Sequence, residues 1–374
     1  MKIAIFWNYL FHYRVPFYNR LAQVPGVELT VFHGGEDPNR RGKSAGSAEP
    51  PSFESIQIAT HEKSIHGAVV YFQTGMWKYL CTRKFDVIVC EGNFGILSNA
   101  LLALYSRLTG ARFLLWVGGW ERKMIRGLAA HLRRVYIRIA CRFTDGFLCY
   151  GSNAVQFLAR YGAVGSCTVI QNTVDTERIQ AASAHHRSEA AKSRKALGLE
   201  NKTVVLTVGA QIARKKTALL IDAYRIISAS RDDVALVIVG DGPQKQLLVD
   251  RAHDLADVHF TGEVVGPVGA YFAMADIFVL PGLGGLAINE AMAYGLPVIC
   301  AEGDGTEQDL VIPNKTGLFF RRDDERDLAD KIGALLAAPE KRQMMGQSAQ
   351  NHVFTIASMS TMIDRFVRAV SPEQ

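Results

Sequence analysis

Three groups of residues have types and spacings that could hold a phosphorylated ligand. In "VGAQIARKKTALLIDAY", Arg214 and Lys215 follow a β-branched run and precede a helical pattern, so two cations stand beside a helix N-terminus. That is a setting in which a pyrophosphate is bound. In "LPGLGGLAINEAMAYG", the amides of Gly284, Gly285 and Leu286 can approach the same anion. Glu290 lies about one turn into the helix that follows, where a carboxylate suits the hydroxyls of a diol such as a ribose. Each feature has a plainer reading, since glycines also serve tight turns and a glutamate is ordinary on a surface. The apolar run "AMAYGLPVI" argues that this helix face is covered.

The elements that must position these residues alternate along the chain. Strand candidates in the first half are "KIAIFW", "VELTVFHG", "SIQIAT", "DVIVCEG", "RFLLWVGG", "DGFLCYG" and "CTVIQN". The second half offers "TVVLTVG", "ALVIVG", "VHFTG", "IFVLPG", "PVICA" and "TGLFF". Segments with helical apolar spacing lie between most of them, a pattern of parallel strands joined by crossover helices. The pattern occurs twice, around a polar stretch at 176–200. The expected architecture is therefore α/β: two doubly wound domains facing a cleft, over 1–175 and 201–356. Residues 176–200 are expected as a linker with a surface helix, and a helix over 357–371 as packing back on the first domain. Residues 34–54, rich in Gly, Pro and Ser, are expected as a mobile loop. Ligands of such sheets sit at the carboxyl ends of the strands. Glycine-bearing loops end the second-half strands there: "VGAQIARKK", "VGDGP", "TGEVVG", "LPGLGG" and "CAEGDGTE".

Composition is that of a globular protein, 48% hydrophobic and 21% charged over 374 residues. The formal charge of +6 is uneven, because the basic excess lies in residues 1–175. An anionic ligand, partner or surface for the first half follows as an expectation. The six cysteines form no CxxC pair and no metal spacing, so no metal is expected and a reducing cytoplasm suits the chain. The N-terminal apolar run is too short for a signal peptide, and "ILSNALLALY" is too short to span a bilayer.

Residues 200–330 resemble the C-terminal domain of the group 1 retaining glycosyltransferases, which adopt the GT-B fold of two Rossmann-like domains. The resemblance rests on "VGDGPQKQLL", "VHFTGEV", "AYFAMADIFVLPG", "GGLAINEAMAYGLPVICA" and "GTEQDLVIPNKTGLFF". "VIQNTVDTERI" is similar to a segment that precedes the family's second domain, and "YRVPFYNRLA" to one found in bacterial members acting on surface polysaccharides. The resemblance implies transfer of a sugar from a nucleotide-sugar donor, UDP slightly favoured, to a saccharide or lipid-linked acceptor, without a cofactor or catalytic metal. It implies that Lys215, with Arg214 beside it, stabilises the departing diphosphate, that Gly284, Gly285 and Leu286 cradle it, and that Glu290 holds the ribose. The turn at Gly209 and the loops of Gly240, Gly242, Glu263 and Val264 would then receive the nucleotide. His12, Arg14, Gly118 and Glu121 would line the acceptor side.

The chain also departs from that family. Gly282 stands where the first carboxylate of the Glu-x7-Glu motif usually contacts the sugar, and Ala210 where an arginine binds phosphate. Gly118 matches a position that often carries histidine. These departures keep two other readings open: a nucleotide-sugar epimerase of the same fold, and a binding paralogue without activity. An ordinary Rossmann oxidoreductase fits poorly, since "KIAIFWNYLFHY" lacks GxGxxG.

Residues 121–142 place Ile125, Leu128, Leu132, Val135, Tyr136 and Ile139 on one helical stripe, with Arg126, Arg133, Arg134, Arg138 and Arg142 largely elsewhere. Such a helix either packs its stripe on the sheet or lies on an anionic membrane surface, which would make the protein peripheral at the inner face. Nucleic acid is not an expected partner, because exposed aromatics do not interleave with the charge.

Overall fold

The computed structural model describes residues 1–35, 49–65, 68–93, 96–119, 128–163, 165–264, 268–301, 303 and 305–371. The chain divides into two units, Met1–Gln171 with Ser360–Gln374, and Asn172–Met359.

The first unit is built on seven parallel strands. Their spatial order is Glu54–Gln57, Glu28–His33, Lys2–Trp7, Val87–Glu91, Arg112–Val117, Gly146–Cys149 and Ser166–Val169. The strands read from the sequence are all present, and the apolar runs of the five inner strands are buried because helices cover a parallel sheet on both faces. An antiparallel hairpin, Thr60–Ile65 with Ala68–Gln73, was not among the expected strands. Gln73 ties it to the sheet by donating from Nε2 to the Trp7 carbonyl, 2.9 Å away. The last helix, Met359–Val370, returns to this unit. Its Phe366 ring lies 5.4 Å from Phe17 and 5.6 Å from Trp116. Most of the expected mobile loop, residues 36–48, lies outside the described residues.

The second unit has six parallel strands in the order Val258–Gly262, Val234–Val239, Thr203–Val208, Ile277–Leu280, Val298–Ala301 and Gly317–Phe320. Chain direction across the sheet reverses between Thr203–Val208 and Ile277–Leu280, the switch point at which such sheets open a ligand crevice. The two Rossmann-like sheets are those expected of the GT-B class.

Residues 176–200 need correction as a linker, because Thr176–Ala196 is one helix built into the second unit. Asp175 caps it, accepting from the Arg178 amide at 3.0 Å. Polar side chains fasten it: His186 Nδ1 lies 2.6 Å from the Tyr294 hydroxyl, and Arg194 donates to the Met274 carbonyl at 2.7 Å. Its apolar content understates this attachment, which is why it reads as a spacer. Among the described residues, no helix is long and apolar enough to cross a membrane.

Candidate functional site

Both loops carrying the chemical signal leave the switch point of the second sheet. After Val208 the chain runs through Gly209 to a single 3-10 turn, Ala213–Lys215. Lys216 then takes a left-handed conformation at φ 53°, and the helix Thr217–Ser228 begins. The neighbouring strand, Ile277–Leu280, ends in Pro281–Gly285, which feeds the helix Leu286–Ala293.

The loops touch at two glycines. A Cβ placed on Gly284 would lie 2.3 Å from the Lys215 ammonium, and Gly284 itself has a φ of 137°. Only glycine fits there, so the ammonium rests directly against the 284 backbone. A Cβ on Gly282 would lie 2.2 Å from the Arg214 carbonyl oxygen and 2.6 Å from the Lys215 carbonyl carbon. The Leu283 amide donates to the Arg214 carbonyl at 3.1 Å, locking the same contact. Position 282 thus lacks a carboxylate because the 214–215 backbone occupies the space a side chain would need.

Electrostatically the site is a cation cluster awaiting an anion. Burial pushes the Lys215 ammonium down to about 8, and the Arg214 charge adds to that effect while Glu307 opposes it. Arg214 is exposed and makes no ion pair among the described residues. Nor do the amides of Gly284, Gly285 and Leu286 donate a hydrogen bond within the described chain. They open the N-terminus of an eight-residue helix that has no side-chain cap. A buried lysine with an arginine beside it, against a helix start with open N–H groups, has the chemistry of a diphosphate cradle.

Glu290 lies one turn along that helix. It retains some solvent contact and has no hydrogen-bond or ion-pair partner among the described residues. Desolvation lifts its carboxyl to about 7. A carboxyl that has lost water without gaining a donor is ready to accept hydroxyls. Next to it, fully buried Asn289 donates from Nδ2 to the Asn172 carbonyl at 3.0 Å and fixes the helix against segment 172–176.

Two of the glycine loops carry a packing role as well. A Cβ on Gly240 would meet the Gly209 carbonyl oxygen at 2.1 Å, and one on Gly242 the Gln211 carbonyl oxygen at 2.5 Å. The Gln211 amide donates to Asp241, and that of Gly240 to Gly262, both at 2.9 Å. These glycines allow loop backbones to pack on one another. Glu263 is exposed, whereas Val264 packs against the core.

Sequence reasoning passed over two residues. Gln211, 1% exposed, accepts from the Thr217 hydroxyl at 2.8 Å and donates to the Gly209 carbonyl at 3.0 Å, holding the Lys215 loop in shape. Glu307, 4% exposed, has a buried Oε2 with no hydrogen-bond partner and supports the charge on Lys215. Its signal was the fifth glycine loop, which ends in a carboxylate at a helix start just as 281–290 does.

The expected acceptor residues belong to the first unit. His12 sits half-buried in the 3-10 turn His12–Arg14, its ring 5.6 Å from Tyr13. Gly118, half-buried, follows the strand Arg112–Val117. Glu121 lies outside the described residues. Arg14 requires correction: it is 2% exposed, with its guanidinium 4.2 Å from the Trp116 ring and 5.0 Å from each of Trp7 and Tyr150. It also donates to the Tyr150 hydroxyl. Enclosed by aromatic faces, this cation stabilises the interior and is shut off from an acceptor.

Residues 189–352 match the family model of glycosyl transferases group 1. Over 212 residues the chain is 32% identical to a GDP-mannose-dependent alpha-(1-6)-phosphatidylinositol monomannoside mannosyltransferase of Mycobacterium tuberculosis, covering 53% of this chain and 54% of that protein. The chain spans about half the length of the curated relatives it matches. Across whole chains the fold resembles a Rickettsia africae glycosyltransferase, with TM-score 0.76, 13% identity and coverage of 99% and 97%. It also resembles an Anabaena protein solved with UDP and glucose, with TM-score 0.71, 15% identity and full coverage of both chains. At such identities the solved structures speak for the fold alone. Residues 189–352 thus match a group 1 glycosyltransferase domain, set in a chain whose fold is that of the GT-B proteins.

Proposed function

We propose that the protein transfers a sugar from a nucleoside diphosphate sugar to a lipid-linked or saccharide acceptor, with retention at the anomeric carbon. The observation that carries this reading is the contact of Lys215 with the open 284–286 loop, beside Arg214 and one helical turn from unpartnered Glu290. In the reaction, the bond from the anomeric carbon to the β-phosphate oxygen breaks and its electron pair stays on the diphosphate. The acceptor oxygen bonds to that carbon, and its proton passes to the departing phosphate. Lys215 and Arg214 stabilise the charge that grows on the leaving group, a role that fixed cations perform well in a partly dry site. The charge stabilisation comes from side chains and amides, so the reading calls for no metal or cofactor.

The slight preference for UDP gives way to GDP-mannose as the first donor to try. The sequence relative at 32% identity is GDP-mannose-dependent, whereas the structure solved with UDP and glucose is only 15% identical. The decisive assay incubates the protein with GDP-mannose, UDP-glucose and ADP-glucose, with and without a bacterial lipid extract and with EDTA throughout. Sugar incorporation that depends on the extract and survives EDTA supports the reading. Conversion of donor without acceptor points to an epimerase, and tight binding without turnover to an inactive paralogue.

A further inference from the structure

Two neighbouring helices of the first unit carry large apolar side chains outward. From the segment entering and forming Ser98–Thr109, Leu97, Leu101, Leu104 and Leu108 are 48%, 39%, 57% and 79% exposed. From Leu128–Arg142 and the residue after it, Val135, Ile139 and Phe143 are 39%, 50% and 51% exposed. Each set follows helical spacing, so each forms a stripe. These seven make up more than half of the exposed large hydrophobics among the described residues. Both helices already bury another face: Leu102 and Ala103 on one, Ile137 and Cys141 on the other. A crossover helix needs only one apolar face, so the second has another purpose. Val135 and Ile139, expected on a single stripe, therefore point outward while Ile137 and Cys141 pack inward.

Between the helices opens a cavity of about 250 Å³, lined by Ala100, Leu104, Phe113, Tyr136, Ile139 and Phe143 among others. That exceeds the ~150 Å³ that admits a benzene ring. The charge on the two helices themselves is positive. Exposed Arg134, Arg138 and Arg142 recur every fourth residue beside Val135, Ile139 and Phe143, and Arg107 stands on the other helix. Neither helix contains an aspartate or glutamate. Asp145, half-buried beyond them, pairs with Arg107 at 3.6 Å and also accepts from the Phe113 amide.

We propose that this face seats the protein on an anionic lipid bilayer. The leucines and Phe143 enter the boundary between headgroups and hydrocarbon, the guanidiniums meet lipid phosphates, and the cavity receives the end of an acyl chain. Charge complementarity selects this occupant over a second copy of the chain. A two-fold interface through the same patch would bring like-charged arginine rows together, and neither helix carries an acid to face them. The inference needs nothing from the donor site, so its test leaves donor and acceptor out.

The full chain is floated with vesicles of phosphatidylcholine, and with vesicles containing 30% phosphatidylglycerol. Binding at least tenfold tighter to the anionic vesicles, weakened by salt, is the expected result. Leu104→Asp with Leu108→Asp, both exposed, should lose that binding at unchanged melting temperature. Arg134→Gln, Arg138→Gln and Arg142→Gln together should abolish the preference for anionic lipid. A tryptophan introduced as Ala100→Trp should be quenched by lipid brominated along its acyl chains. Absence of vesicle binding, equal binding to both compositions, or no quenching in the bound state would overturn the proposal. So would a dimer in solution that Leu108→Asp dissociates, which would assign the face to a second copy.

Discussion

The ammonium of Lys215 rests against the backbone of Gly284, so close that a methyl group there would lie 2.3 Å from Nζ. The two residues come from loops on either side of the switch point. Gly284→Ala should therefore displace the lysine as well as strain a backbone at φ 137°, costing about 1–3 kcal/mol of stability. Turnover should drop by about two orders of magnitude, the scale of losing one charge-stabilising group. Steady-state kinetics alongside thermal melts will check it, and near wild-type kcat in a folded variant would contradict the contact.

Lys215 must carry its proton to stabilise a leaving diphosphate, and burial holds its pKa at about 8. Activity should fall as pH rises through that value. Glu307 opposes the downward shift, so Glu307→Gln should move the alkaline limb to lower pH. A pH–rate profile of kcat/KM for both proteins reads this directly. An unmoved limb in the variant would separate Glu307 from the site.

Glu290 works in the opposite sense. Its carboxyl is raised from the ordinary 4.5 to about 7, so the folded state holds a proton that the unfolded chain has released between those values. Stability of the free protein should be greatest below pH 4.5 and decline by about 3 kcal/mol as pH rises to 7, all else equal. Glu290→Gln should remove that component from the pH dependence. Hydroxyl donors from a bound ribose favour the ionised form, so nucleotide binding should release protons near pH 6.5. Calorimetry in buffers of different ionisation enthalpy will measure that release.

Restoring the family's carboxylate should fail. Gly282→Glu forces a side chain into the Arg214 and Lys215 backbone, where a Cβ already lies 2.2 Å from an oxygen. Lower melting temperature and lower activity are expected, measured by thermal melt and transfer assay; a gain in turnover would show that the loop can open.

The sheets were legible because parallel strands buried on both faces, such as "VALVIV", leave unbroken β-branched runs. Lys215 and Glu290 stood out in the sequence because each lies close to where a glycine loop meets a helix, and the structure brings Lys215 against the 284 loop. The packing role of Gly240 and Gly242 was not legible, since a glycine that admits another backbone looks the same in sequence as one that admits a phosphate. Arg14 misled for a related reason: a cation among aromatics reads as surface chemistry until all the rings around it are placed. The hairpin strand "AVVYFQ" had the right composition, but its partner "THEKSI" is polar and carries no pattern. The outward leucines of Ser98–Thr109 escaped notice because an apolar run tells how much is buried, not how many faces a helix uses.

The central claim is that a nucleoside diphosphate lies against Lys215 with its ribose on Glu290. Titrating GDP and guanosine, with UDP and uridine in parallel, into the protein and its Lys215→Ala variant tests this most directly. The account predicts that the variant binds the diphosphate at least tenfold more weakly while nucleoside affinity stays unchanged. Equal affinity of both proteins for the diphosphate would contradict it.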